Sequence, residues 1–232
     1  MIEFILHQCN DAIRIRKGLS KKSARGLEVD FFEERGRVWI GHDPNARRAL
    51  RTLIWRLKWH SWWTRKPKIL IADIKDRNMI LPWSLDHVNN ILLKLHKSVP
   101  KNVPIFITGY SLHWIPLVIQ TINIWGERPV TYFVDGPSLK KCQTNYKRQG
   151  VQFGINHGIT VGALKIAANV LSLFKKTKTI ANAVEGYLDS RSGIDQDAWD
   201  QADVRMVWTL NSPRQASIVS GLKPDYVICE EI

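Results

Sequence analysis

Short apolar runs alternate with helix-like segments along this 232-residue chain, and this alternation constrains the fold more than any other feature. Branched aliphatic and aromatic residues concentrate in eight runs that end at polar residues, glycine or proline. A ninth, shorter run covers Arg37–Gly41. The eight predicted strands are Ile2–Leu6, Leu27–Asp30, Lys68–Ile74, Val103–Thr108, Val130–Val134, Val151–Ile155, Arg205–Leu210 and Asp225–Cys229.

Several segments between these strands have the apolar spacing of helices that cover a sheet. One example is the set Leu85, Val88, Ile91, Leu92 and Leu95. Eight strands that alternate with helices favour a closed parallel barrel over an open sheet. No repeat, low-complexity tract or linker divides the chain. We therefore predict one α/β domain over residues 1–232, a (β/α)8 TIM barrel with its active site at the carboxyl ends of the strands.

Polar or ionisable residues follow each predicted strand, where such a barrel builds its active site. Glu28 and Asp30 are two residues apart in a strand, so both side chains point to one face and can share a hard cation. The full set at the strand ends is His7, Glu28 with Asp30, Asp73 with Lys75, Ser111, Asp135, Asn156 with His157, Asn211 and Glu230.

The order of the motifs resembles the glycerophosphodiester phosphodiesterase family of the phospholipase C-like superfamily. The resemblance covers residues 1 to about 76 and about 204 to the end, and each motif is weak by itself. The middle of the chain matches only as barrel-like alternation. The matching motifs are His7-Gln8, Gly26-Leu27-Glu28-Val29-Asp30, Val38-Trp39-Ile40-Gly41-His42-Asp43-Pro44, Asp73-Ile74-Lys75, Val207-Trp208-Thr209-Leu210-Asn211 and Gly221-Leu222-Lys223-Pro224-Asp225-Tyr226-Val227-Ile228.

This resemblance implies a divalent cation, Mg²⁺ or Ca²⁺, held by Glu28, Asp30 and Asp73. It implies that His7 and His42 act as general acid and base. The expected activity is hydrolysis of a glycerophosphodiester, soluble or lipid-derived, to glycerol phosphate and an alcohol.

The resemblance also assigns residues to the substrate. Lys75 is expected beside a phosphate oxygen, and Asn10 is a second candidate for contact with the phosphate. We expect Gln8 and Trp208 at the substrate mouth.

Two positions depart from the family pattern. Gln8 stands where an arginine is usual, and the loss of a charge-assisted contact would cost about 1.5–3 kcal/mol of phosphate stabilisation. Asp73 stands where a glutamate is usual, and its side chain is one methylene shorter. A catalytically weak or inactive barrel that binds a lipid surface or nucleic acid is therefore the alternative function.

Residues 44–67 form a basic, tryptophan-rich segment within a chain of formal net charge +13. It has no acidic residue, and its composition suits peripheral contact with a membrane surface or a wall of the active-site mouth. The same composition suits nucleic acid, although no recognised nucleic-acid-binding motif is present. An outer barrel helix whose tryptophans pack in the core or in a self-association surface is equally compatible, and the oligomeric state stays open.

The three cysteines are widely spaced and lie in no metal-ligand pattern. We expect free thiols in a reducing compartment. The amino-terminal sequence lacks the apolar core of a signal peptide, and a cytoplasmic protein, with or without peripheral membrane contact, is the expectation.

Overall fold

The structure, a computed structural model, describes residues 2–41, 49–63, 67–75, 85–109, 128–134, 136–146, 151–158, 196–210, 219 and 221–230. Its strands are β1 (Glu3–Leu6), β2 (Ala24–Glu34), β3 (Arg37–Ile40), β4 (Ile69–Ile74), β5 (Ile105–Gly109), β6 (Val130–Val134), β7 (Val151–Gly158), β8 (Val204–Leu210) and β9 (Tyr226–Cys229). The described helices are α1 (Ala12–Ser20), α2 (Ala49–Trp63), α3 (Leu85–Ser98), α4 (Gly136–Tyr146) and α5 (Gln196–Gln201).

Eight of the strands form a closed parallel barrel. Its strand order is β1-β9-β8-β7-β6-β5-β4-β2, and β1 also pairs with β2, which completes the ring. β3 stands outside the ring and pairs antiparallel with β2. The predicted barrel and its eight strands are confirmed, and the short run Arg37–Gly41 supplies β3.

Strand β2 is longer than the sequence indicated. It continues past Asp30 to Glu34, so Glu28 and Asp30 lie inside the strand rather than at its end. Its pairing with β4 stops at Phe31, and its last residues pair with β3 instead. Because the barrel rim is where the parallel pairing stops, the two carboxylates still lie at the mouth.

The barrel interior follows the two-residue period of its strands. Its apolar layer contains Ile5, Ile71, Phe106, Met206 and Ile228, all buried. Two residues further along the chain from each of these, towards the mouth of the barrel, come polar or aromatic residues. These are His7, Asp73, Thr108, Trp208 and Glu230.

One glycine inside the barrel permits a close strand contact. A Cβ atom on Gly26 would lie 2.5 Å from the backbone oxygen of Ile69 and 2.9 Å from a side-chain carbon of Ile5. Real Cβ atoms do not approach backbone oxygen so closely. Gly26 therefore sets the spacing between β1, β2 and β4 directly below the carboxylates.

Helix α2 covers the outside of the barrel, with Leu53 and Leu57 buried in the layer between strands and helices. It begins beyond the end of β3 and leads into β4, so it runs back towards the amino-terminal ends of the strands. Among the helices that the structure describes, none is long and apolar enough to cross a membrane.

Candidate active site

The first strand presents His7 and then turns sharply at Gln8. The backbone N–H of His7 donates to the Cys229 oxygen at 2.9 Å, which fixes the end of β1 against β9. Gln8 has a positive φ of 48°. Its backbone N–H donates to Oε2 of Glu28 at 2.6 Å, so the turn brings the first strand end to the carboxylates.

Three carboxylates meet at one end of the barrel. Asp30 and Asp73 are direct partners in the parallel pairing of β2 and β4, and Glu28 lies two residues before Asp30 on the same face. One ligand atom from each of the three residues lies within 4.8 Å of the others. The structure therefore brings together the three residues predicted to bind the cation.

Asn10 and Lys75 bind these carboxylates from two sides. Asn10 donates from Nδ2 to Oδ2 of Asp30 at 2.5 Å, and its Oδ1 accepts the Asp30 backbone N–H at 2.9 Å. The Lys75 Nζ lies 2.5 Å from Oδ2 of Asp73 and 3.3 Å from Oδ1 of Asp30. Both side chains thus hold the carboxylates in place, while their contact with a phosphate stays a prediction.

Burial makes this cluster electrostatically costly. Burial, followed by repulsion from Asp30 and Asp73, raises the pKa of Glu28 well above its ordinary value. Burial likewise raises the pKa of Asp73, although the Lys75 ammonium and a hydrogen bond from Thr108 oppose the rise. One ammonium does not neutralise three carboxylates, so a divalent cation would remove the remaining repulsion.

The donor set fits a hard cation. All three candidate ligands are carboxylates, which suit Mg²⁺ and Ca²⁺ rather than softer metals. The ligand atoms lie within 4.8 Å of one another, which is close enough for all three to bind one such cation.

His7 is held by an acidic residue that directly follows the last strand. Its Nδ1 lies 2.6 Å from Oε1 of Glu230, while its Nε2 lies 3.7 Å from Oε2 of Glu28. Because an ionised carboxylate can only accept a hydrogen bond, Nδ1 carries the proton in the neutral ring. The lone pair of Nε2 therefore faces the carboxylate cluster, in a position to accept a proton.

Arg14 of α1 supports the same arrangement. Its Nη1 lies 3.7 Å from Oε2 of Glu230 and donates to the Gln8 backbone oxygen at 3.4 Å. The sequence places Glu230 after the last strand but does not indicate its partner. The pairing depends on closure of the barrel, which puts Glu230 beside His7.

Cys9 lies next to the site without being available for chemistry. Its side chain is fully buried, and its Sγ donates to the Leu6 oxygen at 3.7 Å. Burial and the charge of Glu28 raise the pKa of the thiol to about 12. Cys9 is therefore not a thiolate nucleophile at neutral pH.

Of the remaining predicted site residues, the structure describes Trp208 but not His42. Trp208 is half-buried and lies on the inward face of β8. It follows Met206 of the apolar layer by two residues and therefore lies on the mouth side of that layer. His42 lies outside the described residues. The roles assigned to both, and to the Gln8 side chain, stay predictions.

The fold is shared with known phosphodiesterases. A glycerophosphodiester phosphodiesterase from Parabacteroides distasonis has a TM-score of 0.57 at 12% identity, over 99% of this chain and 92% of that chain. An Oleispira antarctica phosphodiesterase, solved with the product sn-glycerol-3-phosphate, has a TM-score of 0.59 at 11% identity, over 98% and 92%. The resemblance in fold expected from the motifs is thereby confirmed.

A calcium-dependent phosphoinositol-specific phospholipase C from a Pseudomonas species is also similar. Its TM-score is 0.51 at 13% identity, over 98% of this chain and 87% of that chain. No protein-family model and no curated protein sequence matches the chain. The chain therefore shares its barrel fold with both enzyme groups, and at these identities the comparison establishes the fold alone.

Proposed function

We propose that this protein is a divalent-cation-dependent hydrolase of glycerophosphodiesters that releases glycerol phosphate and an alcohol. The observation that carries the proposal is the cluster of the buried Glu28 and Asp30 with the half-buried Asp73, and with Nε2 of His7 beside it. The fold shared with glycerophosphodiester phosphodiesterases supports the choice of substrate class.

The three carboxylates, Lys75 and Asn10 have different proposed roles at the phosphate group. A cation bound by the three carboxylates would neutralise phosphate oxygens and stabilise the charge of the transition state. Lys75, close to two of these carboxylates, would place a positive charge against the same phosphate group. Asn10 keeps Asp30 oriented through two hydrogen bonds.

Proton transfer is assigned to the two histidines. His7, with its Nδ1 proton held by Glu230, accepts the proton of the attacking hydroxyl or water at Nε2. His42 supplies a proton to the departing alkoxide. Transfers of this kind contribute roughly 100- to 10,000-fold in rate.

The decisive assay measures glycerol phosphate released from glycerophosphocholine and glycerophosphoethanolamine. It compares Mg²⁺, Ca²⁺ and a chelator for the native protein and for His7→Ala, His42→Ala and Glu28→Gln. A suitable control is Glu3→Gln, which removes a carboxylate paired with Arg25 at the opposite end of the barrel. We expect cation-dependent release that the three site variants lose and the control keeps.

A folded native protein that releases no product with either cation would contradict the proposal. The alternative, a barrel that binds without catalysis, would then stand. It is favoured by Gln8, which lacks the charge of the arginine usual at this position.

We further propose a reducing, cytoplasmic location. Cys9, Cys142 and Cys229 are free and buried thiols, a state typical of proteins in reducing compartments. Fractionation of the native host cells would test the location directly.

A further inference from the structure

The outward face of α2 carries three tryptophans that the barrel does not cover. Trp55 is 55% exposed, Trp59 50% and Trp62 75%. Their spacing of four and three residues puts them on one side of the helix, opposite the buried Leu53 and Leu57. This exposure rules out a core role for the three side chains, which was one interpretation of the sequence.

The tryptophans form a continuous surface with basic residues. The ring centroids of Trp55 and Trp59 are 6.0 Å apart and those of Trp59 and Trp62 are 6.3 Å apart. Arg51 and Lys58 are exposed on the same side of the helix. Together these five residues are called the tryptophan face.

The end of α2 places this face away from the active site. His60 lines a cavity of about 500 Å³ together with residues at the amino-terminal ends of β1, β2 and β4. Trp59 and Trp62 therefore lie towards the end of the barrel opposite the carboxylates. The expectation that residues 44–67 form a wall of the active-site mouth is wrong for these two side chains.

Basic residues also line the cavity at this end of the barrel. Lys22, Arg25 and Lys68 line it, and Glu3 is the acidic residue among its lining residues. Helix α2 adds Arg51, Arg56 and Lys58 and contains no acidic residue. The whole region is thus complementary to a negatively charged surface.

We propose that the tryptophan face docks the barrel on an anionic phospholipid bilayer. Indole rings favour the headgroup level of a membrane, where the ring is sheltered from water and its N–H is still hydrated. Basic residues beside them attract anionic headgroups. The proposal is independent of the hydrolytic function, and it gives the membrane contact predicted for residues 44–67 a defined surface.

Two other occupants fit the face less well. A symmetric dimer through this face would place Arg51 and Lys58 near their own copies, with no acidic residue on the face to pair with them. A nucleic acid base needs an open indole, whereas Trp55 stacks on Trp59 and has the Arg56 guanidinium 5.1 Å from its ring centroid.

Docking through this face has a consequence for the substrate. The carboxylate cluster lies at the other end of the barrel from Trp62. In the docked protein the mouth of the barrel would therefore point away from the bilayer and open to water. A docked enzyme would then take phosphodiesters that have left the membrane.

Vesicle co-sedimentation of the full chain tests the proposal. Vesicles of phosphatidylcholine alone are compared with vesicles that also contain phosphatidylglycerol. We expect binding to the anionic vesicles, weakened by salt, with a shift of tryptophan emission to shorter wavelength. Trp62→Ala should weaken partitioning about tenfold, because an exposed indole no longer enters the interface.

A matched pair of charge variants separates the face from the overall positive charge. Lys58→Gln should weaken partitioning about fivefold. Lys141→Gln, at an exposed position of α4, should leave it unchanged. Circular dichroism of each variant checks that the fold is retained.

Three results would overturn the proposal. The first is equal loss of vesicle binding in Lys58→Gln and Lys141→Gln, which would indicate binding through net charge. The second is a native dimer, without vesicle binding, that dissociates in Trp62→Ala. The third is saturable binding of single-stranded oligonucleotide at Trp62 in the absence of vesicle binding.

Discussion

Glu28→Gln should stabilise the cation-free protein, although Glu28 is central to the proposed site. The pKa of Glu28 is raised well above its ordinary value of 4.5 by burial and by the charges of Asp30 and Asp73. Between the ordinary and the raised pKa, the folded state keeps a proton that the unfolded state has released. The free energy of unfolding therefore falls as pH rises through this interval. Glutamine has no charge to lose, so its contribution does not change with pH.

The size of the effect follows from the spacing of the charges. Two ionised carboxylates whose oxygens lie within 4.8 Å of each other repel by about 3.5 kcal/mol or more at an effective dielectric constant of about 20. Lys75 offsets part of this repulsion through its contacts with Asp73 and Asp30. We take the net relief to be about 2 kcal/mol, which corresponds to a rise of about 4–8 °C in Tm for a protein of this size.

Thermal unfolding in chelator, followed by circular dichroism, measures this relief from about pH 5 to about pH 8. The Tm of the native protein should fall with rising pH, and that of Glu28→Gln should fall less. Glutamine can still accept the Gln8 N–H that Glu28 accepts at 2.6 Å, so the turn is preserved. Adding Ca²⁺ or Mg²⁺ should raise the native Tm most at high pH, and should have little effect on the variant.

Glu3→Gln is the control for removal of one carboxylate, since Glu3 pairs with Arg25 far from the cluster. The reasoning fails if Glu28→Gln lowers the Tm in chelator as much as it does in the presence of cation. It also fails if Glu28→Gln and Glu3→Gln have the same dependence on pH and on cation.

Three further predictions concern the site and the barrel beneath it. Glu230→Gln should lower kcat about 10- to 100-fold in the glycerol phosphate assay, with KM and the cation-dependent rise in Tm unchanged, because it loosens His7 and leaves the carboxylates intact. Gln8→Arg should raise kcat/KM about tenfold, and an unchanged value would count against a missing phosphate contact. Gly26→Ala should lower the free energy of unfolding in urea by about 2–3 kcal/mol, because its methyl group meets the Ile69 oxygen; wild-type stability would contradict the close strand contact.

Local patterns in the sequence were sufficient to predict the strands and the common face of Glu28 and Asp30, whereas the family resemblance supplied Asp73 as the third ligand. Most strands are short and mainly apolar, and the spacing of Glu28 and Asp30 requires a common face once the segment is extended. The extension of β2 beyond Asp30 was not predictable in the same way. Its last residues are stabilised by antiparallel pairing with β3, which depends on the turn at Arg35 and Gly36 with positive φ of 53° and 74°.

Contacts between distant parts of the chain were harder to predict. His7 and Glu230 are 223 residues apart in sequence, and no local pattern indicates that their side chains meet. Asn10 was expected to contact phosphate, whereas its hydrogen bonds in the structure connect it to Asp30. The orientation of Trp59 and Trp62 likewise depends on which side of α2 packs on the barrel.

The contact between His7 and Glu230 makes the complete site depend on folding of the whole chain. It bridges β1 and β9, the first and last strands of the ring, so it forms only when that ring closes. A chain still emerging from the ribosome, or one cleaved before β9, would hold the cation ligands without the partner that orients the histidine. If the proposed function holds, partly folded forms would therefore lack an oriented His7 and would hydrolyse phosphodiesters poorly.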